Sequence, residues 1–145
     1  MLAVELSDAL GTRLAPPPDP LPAVLANAVR DVGRDRGLPE DWLNTGPALQ
    51  WKQGLPPGLP ERVSWRRFSG LRVGIVGRFD LICFKLYASA DPIGPDNRHV
   101  RDLLALRPTK NELQLAADWV RTQDPSPAFA DVLEKVIAYV GAQAP

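Results

Sequence analysis

The sequence predicts an α+β fold: a small mixed sheet with a flanking helix, followed by a C-terminal helical region. Three observations carry this. Short β-like runs stand at the start and on both sides of Ser69-Gly70, helical spacing of apolar residues takes over after Gly77, and proline-rich connectors separate the first elements. At 145 residues and 15.9 kDa the chain is one domain long, with an α/β part over 1–76 and a helical part over 77–145. A chain of this size buries enough surface to fold without staples.

Leu2 to Leu6 alternates over a few residues and reads as a strand. The cluster Pro16-Pro17-Pro18-Asp19-Pro20 can enter neither a ladder nor a helix interior and is a connector. From there Leu21, Val24, Leu25, Ala28, Val29 and Val32 recur at spacings of three and four and stop before Gly37, a natural residue for a helix C-terminus. Residues 38–60 hold five prolines and three glycines, so a folded-down loop with short helical turns is expected, burying Trp42, Leu43, Leu49, Trp51 and Leu55. Arg62 to Phe68 and Leu71 to Val76 read as a hairpin around Ser69-Gly70.

Beyond Gly77 four helices are expected. Arg78 to Ala90 is apolar on nearly all sides, and Asp96 to Leu106 is amphipathic through Val100, Leu103, Leu104 and Leu106. Thr109-Lys-Asn-Glu112 is a capping box, opening a helix with Leu113, Ala116, Ala117 and Val120 on one face. Ser126 and Pro127 supply a cap and a first-turn proline for the last helix, with Phe129, Val132, Leu133, Val136, Ile137 and Val140 inward.

Composition narrows the function classes. With 45% apolar and 23% charged residues the chain is an ordinary globular protein, neither disordered nor fibrous. Lysine plus arginine equal aspartate plus glutamate at 17 each, which removes the global basic charge of a dedicated nucleic-acid binder. Cys83 is the one cysteine and His99 the one histidine, so neither a disulfide nor a zinc site follows, and no metal ligands are assigned. The start carries acids where a signal peptide carries bases, and no apolar run approaches a membrane span, so a cytoplasmic protein with no membrane partner is expected.

Lys85 is the most informative residue, because Leu81-Ile-Cys-Phe-Lys-Leu-Tyr-Ala88 offers almost no polar face on which to display an ammonium. It either snorkels to water along apolar surface or points into a cleft and holds an anion such as phosphate. His99 and Asp102 share a helix face, and a short turn over Asp91–Pro95 makes Asp102 the nearest counter-ion for Lys85. A buried ion pair and a ligand site both use these atoms. Residues 61–85 carry six cations against Glu61 and Asp80, a net +4, which leaves −4 for the rest. Such a hairpin, with Trp65 and Phe68 among its arginines, is either a solvated outer face or a track for a phosphate backbone or RNA bases. No Walker loop, Gly-x-Gly-x-x-Gly, Gly-x-Ser-x-Gly or His-Glu-x-x-His occurs. Cys83 lies in an apolar run that keeps its thiol protonated.

Four segments occur in order: Gly37-Leu-Pro-Glu-Asp-Trp-Leu-Asn44, Gly54-Leu-Pro-Pro-Gly58, Gly77-Arg-Phe-Asp-Leu-Ile-Cys-Phe-Lys-Leu-Tyr-Ala88 and His99-Val-Arg-Asp-Leu-Leu-Ala-Leu-Arg-Pro-Thr109. Together they resemble the nucleotidyltransferase-like proteins of unknown function related to the AbiEii type of toxin nucleotidyltransferases, over most of the chain. The resemblance implies a small sheet flanked by helices, then a helical region, with a nucleoside triphosphate in the cleft between them. It implies Lys85 and Asp102 as the catalytic pair, Lys85 on nucleotide phosphate, and Arg78, Asp80 and His99 as further nucleotide-site residues.

The departure is large, because nucleotidyl transfer needs carboxylates that hold magnesium, in this family an Asp-x-Asp after a Gly-Ser or Gly-Gly turn. That motif is missing, and Glu5 and Asp8 are the only early acids. The expectation is therefore an N-terminally truncated, catalytically incomplete domain that needs Mg2+ only if the motif is restored, with weak nucleotide binding as its residual activity. A degenerate binding module, or a domain whose missing strand comes from a partner chain, explains the same departure. The alternative function is an interaction protein that self-associates or pairs with another chain through its uncovered first strand.

Overall fold

A computed structural model describes residues 2–5, 20–43, 54–69, 71–90 and 98–143. The fold is α+β and divides into two compact units. One consists of Leu2–Leu55 with Trp65–Gly74 and holds the sheet; the other consists of Pro56–Ser64 with Ile75–Pro145 and holds the helical region.

In the sheet unit, β1 (Leu2–Glu5), β2 (Ser64–Phe68) and β3 (Leu71–Ile75) form a three-stranded sheet in the order β1-β3-β2. The hairpin expected around residue 69 forms, with Ser69 in the left-handed region at φ 48°. Helix α1 (Ala23–Arg36) ends on Gly37 at φ 62°, a conformation that costs a residue without Cβ nothing, and the Leu38 N–H closes the turn onto the Gly33 carbonyl at 2.9 Å. Trp42 folds back to donate its indole N–H to the Val29 carbonyl at 3.0 Å. It lies so close to Gly33 that a Cβ there would stand 3.1 Å from the indole nitrogen.

One expectation for this half needs correction. The strand expected from Arg62 begins only at Ser64, because Leu59–Arg62 is a helical turn, α2, started by Pro60, whose fixed φ suits a first turn. The apolar stripe of α1 is only partly covered: Leu25 and Val29 are half-buried and Gly33 is its one buried residue, while Val24 is 84% and Val32 43% exposed. Amphipathic spacing shows that a face is apolar, and says nothing of whether a partner lies on it. Leu49 and Trp51 lie outside the described residues.

The helical unit contains α3 (Arg78–Ser89), α4 (Arg98–Leu106), α5 (Lys110–Val120) and α6 (Pro127–Gly141). Helix α3 is apolar on nearly all sides because it packs on α4, α5 and α6 together. Ile82, Cys83, Leu86, Leu103, Ala116, Ala117, Val120 and Leu133 are fully shielded from water. Phe84 meets Trp119 edge to face at 5.8 Å, and Tyr87 joins Trp119 to Phe129. Both arms of the capping box form, Glu112 N–H donating to Thr109 Oγ1 at 3.2 Å and Thr109 N–H to Glu112 Oε2 at 2.9 Å. Ser126 caps α6 by accepting from the Phe129 N–H at 3.3 Å. Leu59 and Val63 are buried, so the α2 turn belongs to this core.

Candidate functional site

Helix α3 carries three of the five expected site residues. Arg78 and Lys85 are seven residues apart, two turns, and so share one face; Asp80, two residues beyond Arg78, points about 200° around the helix from it. The helix thus divides the set. Arg78 and Lys85 lie on the seam with α4, and Asp80 turns to the α2 side.

On the seam, Lys85 Nζ donates to Asp102 Oδ2 at 2.5 Å. Neither side chain is deeply buried, at 25% and 48% exposure. The pair sits at the mouth of the seam, where snorkelling and pairing are both satisfied. His99, one turn before Asp102 on α4, is half-buried. At the other end, Arg78 donates to the Leu106 carbonyl at 2.7 Å, to the Arg107 carbonyl at 2.9 Å and to Glu112. Its guanidinium thus caps the C-terminus of α4, where backbone carbonyls lack partners.

Asp80 is completely buried, and its two oxygens accept from Arg62 Nη2 at 2.5 Å and Arg62 Nε at 3.1 Å. This fork on a carboxylate is the strongest kind of ion pair a protein makes. The Asp80 hydrogen bond raises the pKa of Arg62, whose guanidinium also lies 5.5 Å from the centre of the Phe79 ring. Around Glu112 the N–H of Thr109 is the largest influence, holding the carboxyl below its ordinary value.

Sequence reasoning missed Arg62 and Glu112, the partners of Asp80 and Arg78. Glu112 was visible only as a cap. Arg62 lies eighteen residues before Asp80, and no spacing rule connects them.

Chemically the seam offers cations already matched by carboxylates of the same unit. An anion arriving at Lys85 competes with Asp102 for the ammonium, and one arriving at Arg78 competes with Glu112 for the guanidinium. Cys83 is no nucleophile: burial pushes its thiol up to about 12. Among the described residues no group of three His, Cys, Asp or Glu side chains is placed to hold a metal ion, so no step through magnesium is derived. Among them, too, no helix is long and apolar enough to cross a membrane. No family model, no curated protein and no solved structure matches the chain.

Proposed function

We propose that the chain is a non-catalytic interaction domain whose sheet unit is completed by another polypeptide. One observation carries the reading: among the described residues, every buried hydrophobic side chain belongs to the helical unit. In the sheet unit Val24 is 84% and Phe68 59% exposed. A three-stranded sheet and one amphipathic helix gain independent stability by burying an apolar face. With so little burial among its described side chains, the opening free energy of such a unit is expected to be low.

Amide exchange on the dilute, monomeric chain tests this. Backbone amides of β2, β3 and α1 should exchange orders of magnitude faster than those of α3 and α5. Equal protection in the two units would show a sheet unit complete by itself and end the proposal. Val24→Ser and Phe68→Ser should each change the unfolding free energy by less than about 0.5 kcal/mol, as for exposed positions.

The half-open Lys85–Asp102 pair favours a second reading, weak binding of a nucleoside triphosphate by an incomplete nucleotidyltransferase-like domain. Calorimetric titration of a triphosphate at low and physiological salt, on wild type and Lys85→Ala, tests it. Salt-sensitive binding lost in the variant supports it; equal binding by both removes Lys85 from the site. Labelled triphosphates with magnesium should yield no transfer product.

A further inference from the structure

Among the described residues the sheet unit has an open edge of unusual charge. In the order β1-β3-β2, strand β2 pairs with β3 on one side, and among the described residues no strand pairs with its other side. Between Ser64 and Ile75 there are three arginines and no acid, in a chain whose formal charge is zero. Arg66, Arg67 and Phe68 are all exposed.

The two faces of this edge differ in an ordered way. The Arg72 guanidinium lies over the Trp65 ring, 4.0 Å from its centre, which puts Trp65 and Arg72 on one face. Alternation then places Arg67 on that same face, and Arg66 with Phe68 on the opposite one. A strand added beside β2 would therefore meet a cation above the sheet, a cation below it at the next position, and a phenyl ring one position further on.

We propose that β2 accepts an extended acidic segment of a partner polypeptide by strand addition, with two adjacent acids beside an apolar residue as the recognised pattern. The proposal rests on the interaction-domain reading and names the chemistry of the partner. Main-chain hydrogen bonds along the open edge supply affinity. Adjacent acids point to opposite faces of an added strand, so one reaches Arg66 and the other Arg67, and the neighbouring apolar side chain covers Phe68. Charged edge strands guard against pairing with any passing strand. Two arginines in a hairpin whose own sequence holds no acid guard selectively, turning away neutral and basic strands and admitting an acidic one.

The test is fluorescence anisotropy with a labelled ten-residue peptide of threonine and valine around a central Val-Glu-Glu-Val, titrated with the full chain. Controls are the same peptide with Gln-Gln for Glu-Glu, the acidic peptide with alternate backbone nitrogens methylated, and a labelled single-stranded oligonucleotide. The acidic peptide should bind at least tenfold more tightly than the glutamine and methylated peptides. The double variant Arg66→Glu/Arg67→Glu should lose that preference, and Arg66→Lys/Arg67→Lys should keep most of it, which separates charge from misfolding. No binding of the acidic peptide, equal binding of the glutamine peptide, or tighter binding of the oligonucleotide would each overturn the proposal. If it falls while the sheet-unit amides still exchange fast, the interaction domain survives with a different partner; if those amides are protected from the outset, both readings fall together.

Discussion

Replacing Arg62 by methionine leaves the Asp80 carboxylate buried with no cation against it. Asp80 is 0% exposed and Arg62 is 37% exposed, so the aspartate pays nearly the full desolvation penalty and the arginine only part of its own. Breaking a buried pair from one side costs about 3–5 kcal/mol, and the partial exposure of Arg62 puts the expected loss near 3. Removing both charges, in Arg62→Met/Asp80→Leu, should restore much of it, because two apolar groups need no partner. Urea denaturation at pH 7 of wild type, both single variants and the double variant gives the coupling energy. A single-variant cost under about 1 kcal/mol with a coupling near zero would refute the claim that this fork ties the α2 turn to α3.

The same cycle on Lys85→Met and Asp102→Leu should give a coupling of only about 1 kcal/mol, because 25% and 48% exposure leaves both charges solvated; a coupling above about 3 would mean the seam is drier than its geometry shows. The carboxyl of Glu112 is held below its unfolded value, so its stabilisation is fully present above the reference of about 4.3 and is lost as pH falls through the lower folded value. Glu112→Gln should therefore be less stable than wild type at pH 7, and the difference should shrink as the pH falls below the ordinary carboxyl range, as followed by thermal melts. With its thiol pushed up to about 12 and no exposed surface, Cys83 should resist a thiol-specific disulfide reagent in the native chain and react at once in urea.

Local chemistry made much of the helical unit legible. Thr109 with Glu112, and Ser126 with Pro127, mark helix starts because the Thr, Glu and Ser side chains satisfy backbone donors of the first turn and Pro127 presents none there. The pairing of Lys85 with Asp102 is legible because an ammonium on an apolar helix needs an anion, and the next amphipathic stretch follows within a few residues of sequence. Asp80 is different. Only the family resemblance made it a site residue, and its partner Arg62 lies in a segment that reads as a strand but forms a helical turn. The α1 stripe is a related case, since periodicity records a preference for burial and the exposure of Val24 shows that preference unmet.

Arg78 has a consequence for how the helical unit opens. It is the first residue of α3, and its guanidinium holds the last carbonyl of α4, the carbonyl of Arg107 and the Glu112 side chain in the first turn of α5. Helix ends ordinarily fray one at a time, each with its own low opening free energy. Here three ends share a single side chain, so that unwinding any one of them releases a donor on which the other two depend. Arg107 itself stands at φ 47°, a left-handed conformation that a residue with a Cβ avoids, and the hydrogen bond from Arg78 to its carbonyl helps to hold it there. The three termini should accordingly melt as one cooperative unit, and loss of the Arg78 guanidinium should turn a concerted opening into three independent ones.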